Sequence, residues 1–343
     1  MTEKIYFYYK NSSRKIEPVP NEDLQKEAQK KLKDLFISYA DNIPAVYKEN
    51  WEEVKLYHPA GKIEKAQAIM LNVDEGAYDL KNKMNGLTGK EWTKFTCSWF
   101  IFNALQSDLK EERAVTEDTQ AHPATYSPTM ISDFIKFFTK EGDTVLDPFA
   151  GIGSTLVACK RTGRIGYGIE LNPKYYGIIE KRVPEFKNNI FNDDCRNILN
   201  LDLPKINYSI SSPPYWDVLN RSTDGFKAER EEKGLDVNYS DEDNDLGNID
   251  DYEAFLEEAC SVYLKMYDVL ADGAFITIIV KNVKKGGKLY PLAWDMARIL
   301  SKKYVLKDEK IWIQDKIGLS PYGYPHSWAS NILHHYCLIL RKE

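Results

Sequence analysis

The sequence predicts an α/β fold built on a mostly parallel sheet with an antiparallel edge strand, and three observations carry that expectation. Short apolar runs alternate with helical patterns from residue 144 onward. A Gly-x-Gly turn joins the first of these strands to its helix. Two late apolar runs follow one another with no long helix between them. Alternating strands and helices imply parallel pairing with helices on both faces, and two successive strands without a crossover imply an antiparallel pair.

Taken in order, Glu22 to Tyr39 reads as an amphipathic helix, with Leu24, Ala28, Leu32, Leu35 and Phe36 at helical spacing. Residues 1–120 are otherwise mixed and charge-rich, are expected to be mainly helical, and form the first of two predicted regions. A polar stretch, Ser107 to Gln120, leads into the second, residues 121–343. There Thr144 to Asp147 reads as a short buried strand, Ser154 to Lys160 as a helix and Ile165 to Glu170 as a strand. Asn172-Pro173 opens another helix, since proline suits the first helical turn. Ile206 to Ile210 and Ala274 to Val280 are further strands, Tyr252 to Leu270 and Leu292 to Leu300 helices, and Lys310 to Gln314 and His335 to Leu340 the late strands.

Composition narrows the class. Hydrophobic residues make up 43% and charged residues 29% of 343 positions, a globular balance that excludes collagen-like and disordered chains. No apolar run approaches the roughly 18 residues of a membrane span, so no membrane partner is expected. The first residues lack a secretory signal. The five cysteines (97, 159, 195, 260, 337) are odd in number and never form a CxxC pair, which argues against disulfides and zinc and for a cytoplasmic location. The formal charge is −6, but Phe226 to Glu258 holds 13 acidic residues against three basic ones, a local −10 that leaves +4 on the remainder. A chain so divided can still offer a basic face to nucleic acid; a solvated acidic loop would have the same composition.

The residues with chemistry lie at strand ends. Asp147-Pro148-Phe149-Ala150-Gly151-Ile152-Gly153-Ser154-Thr155 joins a strand to a helix, where open α/β sheets bind cofactors and glycine lets the backbone approach a ligand. An ordinary tight turn would need the same glycines. Glu170 ends the next strand, 17 residues after Gly153, where an acid can accept ribose hydroxyls. Leu156 stands where a dinucleotide fingerprint has its third glycine, and Asp147 at the strand end would repel a pyrophosphate; both disfavour a nicotinamide-dependent oxidoreductase. A cofactor with a positive group suits these acids better, and S-adenosylmethionine has a sulfonium and an α-amino group.

Ser211-Ser212-Pro213-Pro214-Tyr215-Trp216 follows the strand ending at Ile210. Two prolines fix an extended backbone, so the Ser212 hydroxyl and the Pro213 carbonyl share a rigid direction beside the flat rings of Tyr215 and Trp216. A polar pair next to a stacking ring suits a flipped-out nucleobase. The exocyclic amine of cytosine or adenine is a poor nucleophile because its lone pair is delocalised. Hydrogen bonds to Ser212 and Pro213 would favour a pyramidal nitrogen and free that lone pair, with catalysis by positioning and electrostatics. No metal or covalent nucleophile is needed, and no Pro-Cys pair for C5-cytosine chemistry stands at this motif.

On these motifs, residues 121–343 resemble the amino-group DNA methyltransferases, which make N4-methylcytosine or N6-methyladenine. The resemblance implies a Rossmann-like, mostly parallel, seven-stranded sheet and S-adenosylmethionine as cofactor. It assigns Asp147 to Gly153, with Ser154 and Thr155, to the cofactor loop and Glu170 to the ribose. Asp194 in Asn192-Asp193-Asp194-Cys195-Arg196 is implied to meet the cofactor's adenine amine, with Cys195 beside it. His122 to Tyr126, including Thr125, would cover the methionine end. Ser212, Pro213, Pro214 and Tyr215 match the catalytic motif, and a serine at its first position usually accompanies cytosine N4.

Only 65 residues separate Asp147 from Ser212, too few for a recognition domain, and the chain ends after the last strand. Target recognition is therefore expected from residues 1–120, from the insertion at 216–250, or from both. Lys281, Lys284, Lys285 and Lys288 could meet DNA phosphates together with Trp216, although a plain solvated loop would look the same. Asn282 is close enough to a strand end to enter the site. His334 and His335 are expected to be satisfied histidines, and Pro321 to Trp328 either lines the base pocket or packs under a loop. Gly86 to Trp99 is a packing or DNA-facing element. The expected activity is N4-cytosine methylation of duplex DNA, with N6-adenine methylation, an RNA or protein-glutamine acceptor, and a non-catalytic nucleotide- or DNA-binding module as rivals. A cognate restriction endonuclease is a candidate partner that the sequence neither supplies nor excludes, and it leaves the oligomeric state open.

Overall fold

The structure is a computed structural model, and it describes residues 7–10, 16–18, 30, 34, 43–49, 55–57, 68–70, 76, 78–103, 126–216, 245–322 and 324–343. The chain divides into two compact units, Met1–Cys97 with Lys136–Glu141, and Ser98–Ile135 with Gly142–Glu343.

The first unit holds a five-stranded sheet in the order β2-β1-β3-β4-β5, from β1 (Phe7–Lys10), β2 (Ile16–Pro18), β3 (Lys55–Tyr57), β4 (Ala68–Met70) and β5 (Tyr78–Asp79). Its described helices are α1 (Ala45–Glu49) and α2 (Gly89–Phe95). Among the described residues the unit thus carries a mixed sheet beside its helices, which the mainly helical expectation did not include. Strands of two to four residues are too short to show a period-2 pattern. Of the helix expected at Glu22 to Tyr39, only Lys30 and Asp34 lie within the described residues, and both are helical. The segment Gly86 to Trp99 begins as a packing element. Thr88 caps α2 in a reciprocal capping box with Glu91, and the Trp92 and Phe95 rings lie against Phe137 at 4.8 and 4.1 Å.

The second unit is a Rossmann-like layer of eight strands in the order β6-β14-β15-β11-β10-β7-β8-β9. These are β6 (Trp99–Ile101), β7 (Thr144–Asp147), β8 (Ile165–Glu170), β9 (Ile190–Asn192), β10 (Ile206–Ser211), β11 (Leu270–Val280), β14 (Val305–Ile313) and β15 (His334–Arg341). The sheet has eight strands rather than seven because β6 adds to its edge, parallel to β14. The antiparallel strand exists, but it is not the edge: β15 runs antiparallel to both β11 and β14 and lies between them.

Helices α3 (Pro128–Phe138), α4 (Ser154–Thr162), α5 (Pro173–Arg182), α6 (Tyr252–Met266) and α7 (Leu292–Leu300) accompany the sheet, with a small hairpin, β12 (Val283–Lys285) and β13 (Lys288–Tyr290), before α7. Local chemistry sets their ends. Asn172 caps α5 with Pro173 in its first turn, and Asp251 caps α6 through the Ala254 amide. On one face, Phe255, Tyr263 and Met266 of α6 and Leu292 and Met296 of α7 bury against Ile276, Ile278, Leu338 and Leu340. Among the described residues no helix is long and apolar enough to cross a membrane.

Strand order decides where a ligand can sit. From β7 the chain builds outward to β8 and β9, then returns to β10 on the other side of β7 and continues to β11. The break between β7 and β10 is a topological switch point, where open α/β sheets bind ligands at the carboxyl ends of their strands. Tyr208 and Ser209 of β10 pair with Val145 and Leu146 of β7, so the segments after Asp147 and Ser211 leave the sheet side by side.

Candidate active site at the switch point

Asp147 ends β7 and is fully buried. Its Oδ1 accepts the Phe149 amide at 3.0 Å, and its Oδ2 accepts the hydroxyls of Thr155 at 2.6 Å and Tyr126 at 2.7 Å. Burial pushes its pKa up to about 6, against these hydrogen bonds. The sequence reading set this acid toward the positive group of a cofactor; the structure turns it into the protein instead. It ties the loop to α4 and to the segment before α3, and its oxygens are spent on protein donors.

The loop itself turns through Gly151 and Gly153, at φ +55° and +84°. Such values suit residues without a Cβ, and at Gly153 a Cβ would stand 2.9 Å from Ile179 Cγ2. Pro148 is buried and Phe149 packs on the core beside Tyr263. Gly153 caps α4 without a side chain, and the buried Ser154 Oγ in the first turn has no hydrogen-bond partner. Glu170 closes the site from β8. Its Oε2 accepts the Gly151 amide at 2.7 Å and its Oε1 the Asn172 amide at 2.8 Å. Burial nevertheless raises its pKa to about 8.

Asp194 follows β9 and caps the turn Cys195–Asn200. The Arg196 Nε donates to both carboxylate oxygens at 2.9 Å. Burial pushes Asp194 upward, but the Arg196 hydrogen bonds and charge win and hold it below the ordinary carboxylate value. Cys195 is buried, and burial drives its thiol pKa up. Thr125 and the rest of His122 to Thr125 lie outside the described residues; Tyr126, the next residue, is the one bonded to Asp147.

On the other side of the switch point, Ser211 Oγ meets the Tyr263 hydroxyl at 2.9 Å, inside the core. Ser212 is only half-buried, and its Oγ lies 2.8 Å from the Tyr215 hydroxyl. Pro213 is buried, with Pro214 and Tyr215 partly open. Trp216 departs from expectation. Its backbone takes φ +56°, and its ring is 3% exposed, packed on Tyr252 and Tyr290, with Nε1 donating to the Asp250 carbonyl at 3.1 Å. It cannot offer a face to DNA.

The lysines separate. Lys281 is half-buried, and burial lowers its pKa. Lys284 donates to Ser330, and Lys285 sits 4.3 Å above the Trp216 ring. Lys288 is exposed after the Gly286-Gly287 turn of the hairpin. Asn282 does not enter the site; its Oδ1 accepts the Ala293 amide at 3.0 Å and caps the start of α7. Leu319, Tyr322, Tyr324 and Trp328, between β14 and β15, are exposed rather than packed under a loop.

Two groups take roles that the sequence reading did not give them. Tyr126, placed there only as the end of the segment covering the cofactor, bonds Asp147. His335, expected to be satisfied, is buried with an Nδ1 that has no partner. Its ring stacks on Trp312 at 4.4 Å and lies 5.8 Å from that of Tyr215.

A family model described as DNA methylase, N6_N4_Mtase, matches residues 1–181, more than half of the chain. The chain belongs to this DNA methylase family. The matched stretch takes in the Asp147–Gly153 loop and Glu170 and stops before Ser212. Among curated relatives of this chain, the type II methyltransferase M.HindIII of Haemophilus influenzae is 39% identical over 85 residues, 25% of this chain and 28% of that one. M.Cfr9I of Citrobacter freundii is 46% identical over 63 residues, 18% of this chain and 21% of that one. The chain thus spans about a quarter of the length of these relatives. The solved structure of TrmN from Thermus thermophilus overlays with a TM-score of 0.38 and 12% identity, over 84% of this chain and 59% of that one.

Proposed function

We propose that this methylase transfers a methyl group from S-adenosylmethionine to the exocyclic N4 amine of cytosine in duplex DNA, by base flipping and direct transfer. The observation that carries the reading is the side-by-side exit of the Asp147–Gly153 loop and the Ser212–Tyr215 segment from β7 and β10. A donor bound at one loop and an acceptor held at the other would meet without any further movement of the sheet.

The residues present fit the cofactor. Ser154 Oγ is a buried hydroxyl with unmet bonding capacity at the start of α4, and Glu170 supplies a carboxylate at the end of β8 for ribose hydroxyls. Gly151, Gly153, Thr155, Pro148 and Phe149 shape the loop, Asp194 and Cys195 flank it from β9, and Thr125 belongs to the segment that would cover it. Asp147 acts through the loop it braces, as a positioning residue. When bound, the cofactor supplies an electrophilic methyl group on a sulfonium. The protein's task is then to orient the acceptor amine. Ser212 Oγ and the Pro213 carbonyl accept its two N–H bonds and favour the pyramidal nitrogen whose lone pair can react. Pro214 keeps that pair stiff, and Tyr215 stacks on the base.

Serine at the first catalytic position favours cytosine N4 over adenine N6. Lys284 and Lys288, exposed on the β12–β13 hairpin, would supply cations for DNA phosphates, with Lys281 and Lys285 set deeper. Residues 1–120 and the acidic insertion are the segments assigned here to target recognition, the enzyme is expected in the cytoplasm, and a cognate restriction endonuclease is a fitting partner for a relative of type II methyltransferases. The test is direct. Methyl-labelled S-adenosylmethionine is incubated with the protein and unmodified duplex DNA, which is digested to nucleosides. Label in N4-methylcytosine is expected; label in N6-methyladenine moves the assignment to adenine, and unlabelled DNA overturns the reading.

A further inference from the structure

His335 occupies a position that its packing alone does not explain. It is the second residue of β15, level with the end of β11. Tyr336 pairs with Val280, the last residue of β11, so His335 lies beside the exit of Lys281. It shares a strand face with Cys337 and Ile339, opposite to Leu338 and Leu340, which pack under α6 and α7. Trp312, its cross-strand partner, covers one face of the imidazole at an interplanar angle of 22°, and is itself pinned by a 2.6 Å bond from Nε1 to the Phe102 carbonyl. The Tyr215 ring flanks the imidazole at 52°, and the Tyr215 hydroxyl reaches Ser212. The side chain is 8% exposed, and Nδ1 meets no protein group. Buried polar atoms in folded proteins are nearly always paired, so an unmet one beside a ligand site calls for a ligand atom. Burial, with the charge of Lys281 adding to it, lowers the His335 pKa to about 3, so the ring is neutral and carries one donor and one acceptor nitrogen.

We propose that His335 is a specificity-determining residue whose Nδ1–H donates to the ring nitrogen beside the reacting amine of the flipped base. The inference rests on the methyltransferase reading and deepens it. In cytosine that nitrogen is N3 and in adenine N1, and both are bare acceptors. In thymine and guanine the corresponding nitrogen carries a hydrogen, which meets the Nδ1–H donor head-on. A single neutral donor at this place fits cytosine and adenine, whose C4 or C6 amine adjoins such an acceptor, and rejects thymine and the N1–H edge of guanine, whichever of the two this enzyme modifies. Ser212 and Pro213 hold the amine, Tyr215 holds the ring face, and His335 reads the adjoining edge.

A functional-group cycle tests this. The methylated position is first mapped in unmodified genomic DNA treated with the full-length protein; absence of any modified base at that stage refutes the methyltransferase reading, and with it the base to be read. A synthetic duplex then carries 3-deazacytosine at the mapped position, or 1-deazaadenine if adenine is modified, which keeps the amine and replaces the ring nitrogen by C–H. Single-turnover methylation of both duplexes is measured for the wild type and for His335→Phe, which preserves the ring contacts with Trp312 and Tyr215 and removes both nitrogens. The wild type is expected to lose roughly tenfold or more on the deaza duplex, the size of one hydrogen bond. His335→Phe should lose a similar factor on the normal duplex and almost nothing further on the deaza duplex. If His335→Phe does not fold, His335→Gln, which retains an amide donor, takes its place and should keep part of the deaza sensitivity. Equal deaza penalties in wild type and His335→Phe, or a wild type indifferent to the missing nitrogen, overturn the proposal while leaving the methyltransferase reading intact.

Discussion

The Tyr215 hydroxyl lies 2.8 Å from Ser212 Oγ, across the double proline that separates them. This contact gives the serine proton a destination. If Ser212 donates to the tyrosine oxygen, both of its lone pairs are left to accept from an amine. Ser212→Ala is therefore expected to lower the single-turnover methylation rate by about 100-fold or more, in line with the loss of one preorganised polar contact. Tyr215→Phe keeps the stacking ring and frees the serine rotor, so a smaller loss, roughly tenfold, is expected with little change in DNA affinity. Quench-flow with labelled cofactor separates the two.

Glu170 predicts a pH dependence whose sign is fixed by its raised pKa. The carboxyl ordinarily titrates near 4.5 and here near 8, so the folded protein holds a proton that the unfolded chain has already released. Its contribution to stability is fully present below about pH 4.5 and is lost as the pH rises through about 8. Urea midpoints of the cofactor-free protein across that window should fall with pH more steeply for the wild type than for Glu170→Gln. Above about pH 8, where the wild-type carboxylate is ionised, the same variant should bind S-adenosylmethionine roughly tenfold more weakly or worse, since the amide replaces one acceptor by a donor; isothermal titration reads this.

Tyr126 and Thr155 share a single oxygen of Asp147, and their own hydroxyls are 2.7 Å apart. Tyr126→Phe or Thr155→Val should each cost about 1 kcal/mol, because the remaining hydroxyl still serves the carboxylate. The double variant should cost more than the two together, since a buried oxygen is then left with no donor. Chemical denaturation of the four proteins measures the coupling.

Gly153→Ala should destabilise by about 1–3 kcal/mol, from a strained left-handed backbone and a methyl forced onto Ile179. Shortening Ile179 to Ala relieves the contact but not the backbone. The pair is expected to be less destabilised than the summed single changes, while cofactor affinity stays low because the loop remains displaced.

Legibility followed burial and length. The strands at β7, β8, β10 and β11 were readable because each is a run of apolar residues between turn signals, and Asn172-Pro173 marked α5 through local capping chemistry alone. Three-residue strands such as β6 and β9 carry no such pattern, which is why an eighth strand and a sheet in the N-terminal unit went unforeseen. Trp216 was misjudged for another reason. Its neighbours Tyr252 and Tyr290 are far along the chain, and nothing adjacent to it announces that they will close over its ring.

By itself, the amino-acid order determined the α/β alternation, the glycine turn after Asp147, the stiff Ser-Pro-Pro-Tyr exit and the acid at the end of β8, because each depends on backbone preferences of neighbouring residues. Tertiary structure alone decided which side chains face a ligand. It sealed Asp147 behind Tyr126 and Thr155, drew Trp216 inward, set β15 inside the sheet rather than at its rim, and left the Nδ1 of His335, whose ring flanks that of Tyr215, without a partner. The direction of a side chain at a strand end is chosen by whatever packs against it, and those partners come from elements tens or hundreds of residues away.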